Sequence, residues 1–193
     1  MKRMYRGLWI LLVIIMLAGC GAARQEKGTV YFLNMYEATD DAWQDIGEEY
    51  TRQTGGEVKI ITAHPDNYSL VLDDELGKTT SPSAFILRSR AELDRYEDYC
   101  MDLSFTDFAG ELTTNEYNLY DEDGELYAVG FSPDREEMLY LAVNEECRDV
   151  DRRATLDFLY WMVTSKEGTV MLAEQYGHIP FENAATPIRK VTE

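Results

Sequence analysis

Apolar and polar positions change period several times along this chain. Residues 8–17 are an unbroken apolar run, well short of the roughly 20 residues a helix needs to cross a bilayer. Residues 29–35 (TVYFLNM) are rich in β-branched and aromatic side chains and read as a buried strand. Ala42, Trp43, Ile46 and Tyr50 then recur at helical spacing. Asp40 or Asp41 is placed to cap that helix, and Gly55-Gly56 to end it. Residues 57–62 (EVKIIT) alternate as a second strand, residues 68–76 predict a second helix, and residues 83–87 (SAFIL) a third strand behind Pro82. A β-α-β-α-β order is the signature of a parallel sheet with crossover helices.

The second half of the chain is less regular. Residues 119–127 predict a hairpin turning at Asp123-Gly124. Residues 138–143 (MLYLAV) form a fourth strong strand, and residues 151–163 a helix through Ala154, Phe158, Leu159, Trp161 and Met162. Thr164-Ser165-Lys166-Glu167 has the spacing of a capping box for another helix. Gly177 is placed to end it, and Pro180 bars its continuation.

The N-terminus changes the picture most. Lys2, Arg3 and Arg6 precede the short apolar run, and Leu17-Ala18-Gly19-Cys20 follows it with the small residues and cysteine of a bacterial lipobox. The expected organisation is a signal peptide over 1–19, lipid on Cys20, a small polar tether over 20–28 and one folded unit over 29–193. A second acyl chain on the new N-terminus would make such an anchor stable. The membrane, on its extracytoplasmic face, is then the first partner. Removal of the leader takes the formal charge of the 193-residue chain from −18 to −21. So acidic a surface repels phosphate backbones, which excludes nucleic acid as a partner.

Candidate chemistry is sparse. His64 lies before Pro65 and His178 after Gly177, neither in a zinc-ligand spacing. There is no G-x-S-x-G elbow, Walker A loop or dinucleotide fingerprint. Gly124 sits too late in its acidic loop for an EF-hand, because counting back puts Leu119 at the first ligand position. No catalytic residue, metal ligand or cofactor is expected. Cys100 and Cys147 either pair as a disulfide outside the membrane or stay as two buried thiols; sequence does not choose. The Tyr160-Trp161 cluster fits core packing better than a sugar platform.

The order of segments resembles the extracellular solute-binding proteins of carbohydrate ABC transporters, the maltose-binding-protein-like class. The resemblance is carried by VYFLN (30–34), DAW (41–43), EEYTRQTG (48–55), VKIIT (58–62), SPSAFIL (81–87), YEDYCMDLS (96–104), LYLAVN (139–144), ATLDFLYWMVTSKEG (154–168) and AEQYGHIPF (173–181). One departure is large. Family members are about twice this length, and the segment around 129–138 stands where their second lobe would be inserted.

The resemblance implies an α/β fold of one periplasmic-binding-protein-like lobe. Its sheet would be mostly parallel, with flanking helices and one antiparallel crossing strand at 138–143. It implies a sugar or oligosaccharide as ligand and an ABC permease as partner, with capture weakened or lost because one lobe offers only an open shelf. The ligand-facing loops would be 34–39, with Asn34, Tyr36 and Glu37, and 88–92, with Arg88 and Arg90. The glutamate that the family often carries near Ala38, and its Asn-Gly near Arg88-Ser89, are both missing. Two other readings stand beside this one: a lipid-anchored interaction or sensor-accessory scaffold, and a non-functional truncated product.

Overall fold

The computed structural model describes residues 26–35, 37–112, 118–130 and 139–176. The leader, Cys20, most of the tether, Tyr36, His178 and residues 131–138 of the junction lie outside the described residues. Among the described residues no helix is long and apolar enough to cross a membrane.

A six-stranded mixed sheet organises the chain. Its strands are β1 (Thr29–Asn34), β2 (Glu57–Thr62), β3 (Ala84–Leu87), β4 (Asn118–Tyr120), β5 (Leu126–Gly130) and β6 (Tyr140–Val143), in the order β2-β1-β3-β6-β5-β4. β1 pairs in parallel with both β2 and β3. β6 then crosses antiparallel between β3 and β5, as the resemblance implies. The β4–β5 hairpin adds one more reversed strand at the edge. It turns where expected: Asp121 Oδ1 accepts from the N–H groups of Asp123 and Glu125, at 2.9 and 2.7 Å, and Gly124 takes φ 88°.

Helices cover both faces. On one lie α1 (Asp40–Thr54), α5 (Asp149–Thr164) and α6 (Lys166–Tyr176); α5 packs on β1, and both α1 and α5 pack on α6. On the other lie α2 (Tyr68–Leu76) and α3 (Arg90–Tyr96), joined by Arg95–Asp73 and Tyr96–Asp73 contacts at 2.7 and 2.9 Å. The short α4 (Asp107–Gly110) sits against α5. α1 presents Trp43, Ile46 and Tyr50 to the core, where Trp43 meets Phe32 edge to face at 4.8 Å. Gly55 ends α1 in the left-handed region (φ 71°), its N–H donating to Thr51 O. Asp40 and Asp41 occupy the first turn, where carboxylates favour the helix dipole, while Thr39 holds the cap position.

The α5–α6 corner differs from expectation by one residue. Thr164 closes α5, its hydroxyl donating back to Tyr160 O. Ser165 caps α6 by accepting from Gly168 N–H at 2.9 Å, so no capping box forms with Glu167. A Cβ on Gly168 would stand 2.7 Å from the Met162 backbone. The T-S-x-E-G pattern is thus a close helix–helix corner.

Two resemblance segments also prove structural. Ser83 Oγ accepts from Tyr31 N–H and contacts Thr155 Oγ1 at 2.6 Å. Asn144 Nδ2 donates to Ser81 Oγ and Pro82 O. Together they close the edge where β3 begins and β6 ends. At the far end of the sheet β2 pairs only with β1 among the described strands, and Gln44 Nε2 reaches over to Ile60 O at 3.3 Å.

Candidate ligand-binding edge of the sheet

β1 connects through α1 to β2 on one side and β2 through α2 to β3 on the other, so the strand order reverses between β1 and β3. In open α/β sheets the crevice beyond the carboxyl ends of strands at such a switch point is where ligands bind. Asn34 ends β1 and Leu87 ends β3, so the loops at 34–39 and 88–90 flank it.

The floor of the crevice is sealed by one hydroxyl. β1 and β3 are in register only at Phe32–Ala84 and Leu33–Phe85, then diverge. Tyr68, fully buried on α2, donates to Leu33 O at 3.2 Å and accepts from Ile86 N–H at 2.8 Å. Both backbone groups are satisfied where the ladder stops. Burial pushes the Tyr68 phenol far up, which keeps it protonated and able to donate.

Of the expected site residues, Asn34 is buried and donates to Thr62 Oγ1 at 3.0 Å; the Thr62 hydroxyl in turn donates to Asp40. It ties the ends of β1 and β2 together. Glu37 is exposed in a short 3-10 turn (Glu37–Thr39) at the crevice mouth. Tyr36 lies outside the described residues.

Arg88 and Arg90 are brought to the same edge, each held by an acid one helical turn on. Arg88 Nε donates to Glu92 Oε1 at 2.7 Å and Nη2 to Ser69 Oγ at 2.6 Å; Glu92 Oε2 also accepts from Arg88 N–H. The Glu92 carboxylate holds the Arg88 guanidinium above its ordinary range. Arg90 pairs with Asp94 at 3.1 Å and reaches Tyr120 O. Such partly exposed pairs are worth about 0–1 kcal/mol, and each guanidinium already has an acid in place. The signal for this was in the sequence. Ser89 and Glu92 make an S-x-x-E start for α3, with Ser89 Oγ accepting from Glu92 N–H, and both arginines have an acid at i+4.

Of the remaining candidates His64 and Trp161 are structural, whereas Tyr160 lies outside the core expected for it. His64 Nδ1 accepts from Asp66 N–H and caps a 3-10 turn. Trp161 packs against Tyr50 and Phe158 and donates to Gln53. Tyr160 points outward and is 41% exposed. It lines a shallow groove of about 400 Å³ with Phe105, Arg153, Leu156 and Asp157. Phe105, at 93% exposure, is held out by a rigid turn in which Thr106 N–H and Oγ1 both donate to Leu103 O. Among the described residues no group of acids, histidines or cysteines is arranged to hold a metal.

Cys100 and Cys147 are free and buried. Glu145 N–H donates to Tyr99 O and Met101 N–H to Val143 O, so Cys100 faces Asn144 across a narrow antiparallel pair. Asn144 N–H turns the other way, to Ser83 O, and the Cys147 thiol donates to the Asn144 carbonyl at 3.1 Å. The two sulfurs thus sit on opposite sides of residue 144. Burial pushes the Cys100 thiol up to about 12 and the Cys147 thiol up to about 11. Neither will react with a disulfide-exchange reagent at pH 8 until the chain unfolds, when both are released together. Thiols raised by folding stabilise the native state fully below their ordinary value of 9.0 and lose that contribution as pH rises towards 11–12. Urea midpoints should therefore fall above pH 9, and by less in Cys100→Ala.

No protein-family model matches the chain, and no curated protein sequence does. Parts of solved structures are similar to it. Apo RafE from Streptococcus pneumoniae is 17% identical over 57% of this chain and 29% of its own, with a TM-score of 0.46. A family 1 extracellular solute-binding protein from Bifidobacterium longum subsp. infantis is 17% identical over 54% of this chain and 27% of its own, TM-score 0.44. A sugar transporter from Bacillus licheniformis, solved with stachyose, is 23% identical over 54% of this chain and 28% of its own, TM-score 0.43. The chain spans less than a third of the length of these structures.

Proposed function

We propose that this chain is an extracytoplasmic lipoprotein of solute-binding type, anchored through lipid on Cys20, non-catalytic, and related to carbohydrate ABC uptake with weakened or lost ligand capture. The switch point between β1 and β3 carries the reading: both loops that the sequence resemblance marks as ligand-facing flank it. The same geometry supports weak capture. Among the described residues one sheet edge provides a shelf with no opposing wall, Asn34 is buried against Thr62, and both arginines already hold acids. High-affinity sites bury most of their ligand, and hinge closure needs a second body. An ABC permease is the partner that such a protein would serve.

A second reading is favoured by Phe105. A fully exposed aromatic on a rigid turn, beside Tyr160 and a groove, suits an anchored interaction scaffold.

Thermal unfolding of residues 21–193 with raffinose, stachyose and maltotriose decides between them. A sugar at 100 times its Kd adds about 2.7 kcal/mol to the folded state. A cooperative transition that one sugar raises supports solute binding. A cooperative transition that no sugar moves rules that out and leaves the scaffold. No transition at all leaves a decayed product.

A further inference from the structure

The groove beside Phe105 is built on the outer face of α5. Arg153, Leu156, Asp157 and Tyr160 line it and stand at i, i+3, i+4 and i+7, one stripe of the helix. Phe105 rises beside that stripe, and the backbone on both sides of it is fixed. Ser104 N–H donates to Asp102 Oδ1 and Ser104 Oγ accepts from Leu126 N–H, both at 2.8 Å. Thr106 Oγ1 accepts from Ala109 N–H at 3.1 Å. An exposed ring on a fixed turn gives up little backbone freedom when it is covered.

The charged groups of the stripe stand apart from each other. In α3 an arginine with an acid four residues on pairs with it, as Arg88 does with Glu92 and Arg90 with Asp94. Arg153 and Asp157 have the same spacing and order and are exposed, yet among the described residues neither holds an ion pair, whereas every other described arginine does. A protruding ring beside a concavity, and a free cation one turn from a free anion, make a patch that is complementary to itself. Isologous contacts have that property: residue i meets residue j across a two-fold axis, and j meets i.

We propose that a second copy of this chain covers the patch. Two α5 helices cross antiparallel with Leu156 at the axis, so that Arg153 of each copy meets Asp157 of the other and Phe105 of each enters the other's groove beside Tyr160. An acidic partner would leave Asp157 without a counter-charge and a basic one would leave Arg153 without one; a second copy satisfies both. Aromatic and arginine side chains dominate the energetics of such contacts. The segment that leads to Phe105 bonds to Val143 and Leu126, and Val143 pairs with Ala84 at the end of β3 away from the crevice. The proposal rests on the part of the second reading above that makes Phe105 an interaction residue, and it holds whether or not a sugar binds the crevice.

The test sediments the full chain, expressed in a bacterial host and held in an excess of neutral detergent micelles, at concentrations up to about 100 μM. The buffer contains about 0.15 M salt, in which repulsion between two acidic copies reaches only about 8 Å. A concentration-dependent dimer is expected. Phe105→Ala, with unchanged circular dichroism, should raise its dissociation constant about tenfold or more. Arg153→Asp alone and Asp157→Arg alone should each sediment as monomers, because like charges then face each other across the axis. An equimolar mixture of those two variants should restore the dimer, since both contacts then pair opposite charges. A wild-type monomer at every concentration overturns the dimer and leaves the groove to a different partner; the sugar titration above still decides on solute binding by itself. A dimer that Phe105→Ala leaves intact, or a mixture that stays monomeric, overturns the crossing at α5.

Discussion

Gly28→Ala is expected to destabilise the fold by about 3 kcal/mol. The added methyl would fall 1.9 Å from Val150 O, 2.5 Å from Val150 C and 2.9 Å from Ala154 Cβ. Val150 lies in the first turn of α5, so its carbonyl cannot yield without disturbing the helix. The chain must back away instead, which draws Thr29 N–H off Asp151. Asp151 is only 8% exposed and accepts from Thr29 and twice from Arg148. A nearly buried carboxylate that loses a donor costs more than an ordinary surface hydrogen bond. Spread over a domain of this size, the change should lower the thermal midpoint by about 10 °C. A midpoint within 2 °C of wild type, read by circular dichroism, would show that the segment around Gly28 is not packed on α5.

Tyr68→Phe is the second large effect, about 2–3 kcal/mol. The ring and its volume stay, so no cavity opens. What goes is one hydroxyl with two buried clients, Leu33 O and Ile86 N–H. Neither regains a partner from the ladder, because β1 and β3 have already separated there. Amide exchange at Ile86 is the specific readout: it should quicken well beyond the global change. If Tyr68→Phe unfolds at the wild-type urea concentration, the hydroxyl does not seal the crevice floor.

Much of the scaffold was legible in the sequence. β2 and α2 occupy the residues that alternation and helical spacing indicate, because each buries one continuous face. The antiparallel β6 was expected from the resemblance, and the hairpin from Asp123-Gly124. The site was less legible. Arg88 and Arg90 resemble free cations in a loop until S-x-x-E and the i+4 acids are read as the start of α3. The cap of α6 fell one residue late because Thr164 and Ser165 are chemically equivalent as caps, and only helix packing chooses between them. Tyr68 has no local signature at all: its role depends on where α2 crosses two strands that part company.

The far edge of the sheet bears on how this fold avoids aggregation. β2 offers its outer row of peptide groups to any passing strand, the usual start of ordered aggregation. Gln44 blocks that row with its side-chain amide on Ile60 O, and Glu57 and Lys59 put opposite charges on the exposed face of the same strand. A sheet added in register by a second molecule would have to strip off that amide. With a heavily acidic surface around it, the β2 edge is protected against fibre formation.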